Sequence, residues 1–471
     1  MMISGTVLEG KCDLVSSHLS YPAPPRLLDL NMLLRRVLPH VRSMWLGCLL
    51  SMLTTAAANA QMNGYERPPI NYLHTEVHDP VAKLAAQIQA GETQLAHDAE
   101  FGYLESVLQE LDVPVNSQTL VFSKTSLQIS RISPRQPRAL YFNDDVYIGY
   151  CQNGKTLELV ATDPQQGAIF YTLDQADETT TPKLTRDRGQ CLSCHVSSRT
   201  QNVPGFLVRS VFADAAGRPK LGSGTFTTDQ TSDFRDRWGG WYVTGQHGSM
   251  RHMGNTICEG DEYTFDREPG ANELDLRDRF RTEAYLTPHS DIVALMVLEH
   301  QTQMHNAITA ANYETRQALH QSYQMNELLD RPKNFLSDSA QRRISAAADR
   351  VLEHMLMCDE FQLTDKVSGT TTFAADFQAR GKRDAAGRSL RDFDLNTRLF
   401  QYPCSYLIHS DAFGGLPDEV RSIILARLLD VLQNRDESEQ YAHLSKEMRA
   451  NILAILRETL PEFQHIVFAK Q

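Results

Sequence analysis

Cysteine is scarce in this chain, at 8 of 471 residues. That excludes a disulfide-dense secreted scaffold, in which cross-links stand in for a core. No uninterrupted run of 18 apolar residues occurs, so hydropathy identifies no membrane-spanning helix. No long basic run occurs either, and the formal net charge is -12. Nucleic acid and anionic membrane surfaces are therefore poor partners for it. A Gly-rich phosphate loop, a G-x-S-x-G elbow and an H-E-x-x-H pair are all missing. Internal repeats and low-complexity tracts are missing too, which argues against a solenoid.

What is present suits an ordinary globular protein. Hydrophobic residues make up 41% and charged residues 22%, enough apolar side chains for a core and too little charge for disorder. The length suggests two or three domains.

The first 60 residues read as an export signal with an upstream extension. Arg35, Arg36 and Arg42 precede the apolar run "MWLGCLLSML", Met44 to Leu53, and Ala58-Asn59-Ala60 follows it. A basic stretch, a short apolar stretch and an A-x-A site make a secretory signal peptide. A presequence or an uncleaved anchor is the competing reading. Removing residues 1–60 takes away five of the 46 basic and three of the 58 acidic residues, which leaves a net charge of -14. Six cysteines stay behind: Cys151, Cys191, Cys194, Cys258, Cys358 and Cys404. The expected location is periplasmic or secreted, with no transmembrane span in the mature chain.

The remaining pattern predicts an α+β protein in three stretches. Residues 61–185 hold two short helical patterns, within 79–95 and 102–113. A small antiparallel sheet follows, its strand-like runs separated by turn clusters such as Asn153-Gly154. Residues 186–270 are loop-rich, with one hairpin expected within 206–226 and two tryptophans, Trp238 and Trp241. Residues 271–471 are mainly helical, with a long pattern after Pro288, a second from Ser337, a third beginning with Pro417 in its first turn and a fourth capped by Ser445.

The central stretch contains "RGQCLSCHVSSRTQNVPG", Arg188 to Gly205. Cys-x-x-Cys-His is the attachment signature of a c-type haem. Two vinyl groups on one porphyrin edge need two thiols about one helical turn apart, and the histidine after the second thiol then sits under the iron. At this chain's cysteine and histidine content, chance produces the pattern somewhere in roughly 0.5% of such sequences. Three alternatives compete. A thioredoxin-like dithiol needs a preceding strand and a βαβ unit, and neither is legible around "TRDRGQ". A zinc site needs a second Cys/His pair at ligand spacing. A Cys191–Cys194 disulfide closes a loop too short to stabilise much.

On these residues, the export signal, "WGGWYVTGQHGSMRHMGN" and "LFQYPCSYLIHSDAF", the chain resembles the exported single-haem c-type cytochromes of bacteria, in particular their large monohaem members. It is several times longer than small soluble cytochromes c and places a sheet before the motif. The resemblance implies one haem c, Cys191 and Cys194 as its covalent attachments, and His195 as the proximal iron ligand. The resemblance carries no established reaction, and the leading expectation is one-electron transfer with a redox partner protein that the sequence does not identify. A peroxidase- or oxidase-like haem enzyme with an open distal site, or a haem-based sensor, is the alternative.

The sixth iron ligand would distinguish these functions. The nearest candidates are His247, Met250, His252 and Met253, with His247 first and His252 second. Glycines 245, 248 and 254 would let their loop approach a flat ligand. His300, Met304 and His305 on the long helix, beside Glu299, and His354 with Met355 and Met357, read more readily as core and surface. Arg186, Arg188 and Arg209 could pair with haem propionates or simply be surface charge. Cys151, Cys258, Cys358 and Cys404 could form two disulfides or remain buried thiols.

Overall fold

Alternating apolar side chains from Thr119 onward build one antiparallel sheet whose two faces are covered unequally. The computed structural model describes residues 64–175, 181–461 and 463. The export signal and everything else expected of residues 1–60 lie outside the described residues. The sheet contains β1 (Thr119–Val121), β2 (Arg138–Phe142), β3 (Val146–Tyr150), β4 (Thr156–Asp163), β5 (Gly167–Asp174), β6 (Leu184–Arg186) and β9 (Trp241–Tyr242). Their order is β6-β5-β4-β3-β2-β1-β9. Asn153 takes a positive φ of 54° in the β3–β4 connection, the turn its Asn-Gly pair predicts. β9 pairs with β1 through Leu120↔Tyr242 and Val121↔Trp241, so the chain returns to the sheet after the central stretch. The expected hairpin within 206–226 is a two-stranded sheet of β7 (Arg209–Val211) and β8 (Thr225–Thr227).

Two helices cap the N-terminal side, α1 (Pro80–Ala90) and α2 (Leu104–Glu110). Asp79 starts α1 by accepting from the Val81 and Ala82 N–H groups, and it also accepts from the Tyr171 hydroxyl on β5 at 2.5 Å. One side chain thus caps the helix and fastens it to the sheet.

α4 (Ile292–Leu328) is capped by Asp291 and packs against the sheet and the C-terminal helices. Every residue from Ile292 to Tyr313 is buried, so its apolar periodicity is weak by necessity. Its polar side chains bond distant backbone. Gln301 donates to the Asn143 carbonyl at 2.7 Å, His305 to the Asp144 carbonyl at 2.8 Å, and Asn312 to the Pro164 and Gly415 carbonyls. Such groups are costly to bury unless each finds a partner. α5 (Asp338–Met355) packs along α4, α8 (Asp418–Leu432) packs on α5, and α9 (Lys446–Thr459) follows, with Arg449 buried and bonded to the Val431 and Tyr441 carbonyls. Three one- to two-turn helices complete the described set: α3 (Leu192–His195), α6 (Phe373–Ala379) and α7 (Asp411–Gly414). Pro417 is the N-cap of α8 rather than a residue of its first turn. The fold class is α+β, as the pattern predicts, with the C-terminal region mainly helical. The described residues from Gly64 onward form one compact unit. No helix among the described residues is long and apolar enough to cross a membrane.

The buried imidazoles of α4 set an acid limit on stability. Burial depresses His300 to about 3 and His305 to about 4. In the unfolded chain both titrate near ~6.5. Their contribution is therefore fully present above ~6.5 and is lost as pH falls through about 4 for His305 and about 3 for His300, because the unfolded chain takes up protons that the folded chain refuses. The urea midpoint should fall over this window, and His300→Gln with His305→Gln should flatten that fall. An unchanged slope in the double variant would mean that these rings are not what limits it.

Candidate haem-attachment site

β6 is the sheet edge from which the central stretch departs. The Asp187 N–H still pairs with the Phe170 carbonyl at 2.8 Å, and the Asp187 carboxylate then accepts from Gly189 and Cys191 N–H groups at 2.9 and 3.0 Å. This turn launches α3. The Cys194 and His195 N–H groups both bond the Cys191 carbonyl, at 3.1 and 3.0 Å. The two sulfurs therefore project from one helical turn. Both are free thiols, Cys191 half-buried and Cys194 exposed. Burial, and then the Asp187 and Glu158 carboxylates, push the Cys191 thiol up to about 12. A thiol held this high is mainly protonated and so a poor nucleophile as it stands. Cys191, Cys194 and His195 do not converge as metal ligands do, and no other trio of His, Cys, Asp or Glu does so among the described residues.

After α3 the loop folds back on itself. Ser197 and Thr200 cap each other, and the Thr200 hydroxyl lies 2.9 Å from the Val203 carbonyl. This brings Gly205 to His195. The Gly205 N–H donates to the His195 carbonyl at 3.0 Å, and His195 Nδ1 lies 2.9 Å from the Gly205 carbonyl oxygen. A carbonyl only accepts, so Nδ1 carries the hydrogen and Nε2 keeps its lone pair. Burial lowers the pKa of this ring, which favours the neutral form. A neutral imidazole oriented through its other nitrogen is what iron ligation requires.

The ring lies 4.8 Å from Phe170 on β5, centroid to centroid. Leu140, Val160 and Thr172 share that sheet face with Phe170 and are only partly buried. Arg138 and Glu158 form an ion pair across it at 2.7 Å. Farther along the same face Phe206 covers Tyr147 at 4.5 Å. The site thus combines two thiols, one free imidazole nitrogen and an adjoining, partly open apolar floor. These features fit a flat, largely apolar macrocycle carrying a metal. Two open clefts of about 430 and 450 Å³ lie elsewhere, one lined by Asp349, Arg427 and Tyr441, the other by Asn116, His289 and Thr371. Ligand chemistry, not concavity, identifies the site.

The candidates for the sixth ligand are engaged elsewhere. His247 is fully buried, with Nδ1 donating to the Met250 carbonyl at 2.7 Å and Nε2 accepting from the Asn272 N–H at 2.9 Å. His252 accepts the Gly254 N–H on Nδ1 at 3.0 Å, so its hydrogen is on Nε2. It packs edge-on to Trp238 at 5.2 Å. As placed, neither ring offers a lone pair to iron. Both tie down a glycine-rich loop whose backbone donors need acceptors. The glycines approach the protein's own chain, with Gly245 against Ile292 and Gly254 against Val243. Met250 is core, and Met253 is buried in a small cluster with Phe212 and Cys258. His300 bonds the Ser405 hydroxyl at 2.8 Å, and Met304 is core.

Arg186 is committed to the Tyr72 and Thr75 carbonyls, and Arg188 is exposed near the Leu73 carbonyl. Arg209 bonds only Thr225, at 3.1 Å, and its Nε is buried without a partner. It is the arginine of the three best placed to take a carboxylate. Cys151, Cys258, Cys358 and Cys404 are buried free thiols rather than two disulfides. Gly205 and Phe170 are the site residues that sequence reasoning missed. Gly205 lies inside the quoted stretch, but only the return of the loop shows that its carbonyl meets His195.

Comparison with known protein families, with curated proteins and with solved structures finds no match to this chain.

Proposed function

We propose that this chain is an exported haem c protein that passes single electrons, with Cys191 and Cys194 as the attachment thiols and His195 as the proximal ligand. One observation carries the proposal: within a single helical turn two reduced thiols accompany an imidazole whose Nδ1–H is held by Gly205 and whose Nε2 is free. When bound, the haem supplies an iron that alternates between ferric and ferrous states. The chain holds the group through two sulfurs, so that exchange with free haem is prevented. Gly205 fixes the tautomer and orientation of His195. Leu140, Val160 and Phe170 keep water from one side, and Arg209 offers a charge-assisted bond to a carboxylate.

A second reading, an open sixth position that takes a small exogenous ligand, is favoured by the occupied nitrogens of His247 and His252. The reduced protein, matured in a host that attaches haem c, should then change its Soret band under carbon monoxide. His247→Ala should respond as the wild type does. A wild type that ignores carbon monoxide, beside a His247→Ala variant that binds it, would restore His247 as the distal ligand.

A further inference from the structure

Asn306 sits on the buried polar stretch of α4, fully enclosed, and its side-chain amide is used on both edges. Oδ1 accepts from the Phe206 N–H at 2.8 Å, and Nδ2 donates to the Phe206 carbonyl at 2.8 Å. The side chain thus pairs with residue 206 as a neighbouring strand would. Residue 205 must be glycine for this to happen, since a Cβ there would overlap Asn306 Oδ1.

The Phe206 N–H and the Gly205 C=O belong to one planar peptide unit. That carbonyl accepts the His195 Nδ1 hydrogen. A single rigid plane is therefore held at both ends, by Asn306 on the helix side and by His195 on the motif side. Drawing on its N–H also strengthens its carbonyl as an acceptor, because bonds in such a chain polarise one another.

We infer that Asn306 is a positioning residue for His195, acting through the Gly205–Phe206 peptide to fix the imidazole's tautomer and its hold on iron. The part concerning iron rests on the haem reading above, while the part concerning the tautomer does not. Partners of this kind behind a ligating histidine change metal affinity by about 10–100-fold when removed. Asn306→Leu removes both bonds at similar volume. Asn306→Asp is the conservative variant, since at acid pH its neutral carboxyl can both accept and donate. Asn312→Leu is the control, two turns along the same helix, equally enclosed, and likewise bonded to distant carbonyls.

Two measurements on the full chain test this. In the haem-bearing protein, acid titration followed by absorbance reads the pH at which a proton displaces His195 from the metal. Asn306→Leu should raise that midpoint by about one pH unit, a tenfold weaker hold. Asn306→Asp should recover most of the shift, and Asn312→Leu should leave it in place even where its melting temperature falls as far. In thiol-blocked protein without haem, nitrogen NMR of His195 reads the tautomer directly. Wild type should show hydrogen on Nδ1, and Asn306→Leu should show exchange between both nitrogens. If the intact mass carries no macrocycle, the haem reading fails and the NMR arm alone decides. An unchanged His195 tautomer in Asn306→Leu, or an equal midpoint shift in Asn312→Leu, overturns the inference.

Discussion

Protein carrying Cys191→Ala and Cys194→Ala together should yield all of its colour to acid acetone, while the wild type yields none. The expectation follows from how α3 presents its side chains. The two sulfurs rise from one turn, and each can bond one vinyl group of the same macrocycle edge through a bond that acid does not break. Either single variant retains one such bond, so its colour should stay with the protein. Cys194 is exposed and Cys191 is half-buried against the core, so Cys191→Ala should cost more stability of the two. His195→Gly separates attachment from ligation. Its colour should remain covalently bound, with the spectrum shifted to that of a haem lacking its protein imidazole, and added imidazole should reverse the shift. A double cysteine variant whose colour resists extraction would show that attachment lies elsewhere in the chain.

Arg237→Met should destabilise the fold more than most other single substitutions outside the motif. Glu299 is fully buried on α4, and its Oε2 lies 3.1 Å from Arg237 Nη1. The guanidinium also holds the Gln230 and Ser232 carbonyls, at 3.1 and 2.7 Å. Removing it leaves a buried carboxyl without its cation, a change that costs about 3–5 kcal/mol at a pH where that group is ionised. The urea midpoint should drop accordingly with little change in slope. Burial outweighs the attraction of Arg237 and raises Glu299 to about 7. A carboxyl with a raised folded value binds its proton more tightly in the fold, so its stabilising share is present at low pH and is lost as pH rises from ~4.5 through 7. Without Arg237 that loss should extend to higher pH, and Glu299→Gln in the same background should relieve it. A loss below about 1 kcal/mol, the range of a surface ion pair, would mean that water reaches Glu299.

Helices α1, α2, α4, α5, α8 and α9 and the first five strands were legible because their signals are local, whereas α6 and α7 carried none that was read. Asp79 before Pro80, Asn153 in a turn and Ser445 before a helical run each act within a few residues. β9 carries no such signal. Trp241 and Tyr242 form two residues of strand only because Val121 and Leu120 are waiting 120 residues earlier. The α4 segment "EHQTQMHN" resisted reading for another reason. Polar residues imply a solvated face, yet all eight are buried, because the partners of Gln301, His305 and Asn306 are backbone groups from other elements. The same difficulty affected the candidates for a sixth ligand. His247 and His252 near glycines suggested a ligand loop, whereas both nitrogens of His247 bond Met250 and Asn272, and the lone pair of His252 is taken by the Gly254 N–H. The Cys191 to His195 pattern is visible at once because it lies in five consecutive residues, whereas the Gly205 carbonyl on His195 Nδ1 appears only in the fold.

The intact mass of the full chain after export from a host with haem c machinery tests the central proposal most directly. The mature polypeptide should appear heavier by one haem, with the addition confined to the peptide that holds Cys191 and Cys194. A mass equal to the polypeptide alone, with both thiols open to alkylation, would contradict it.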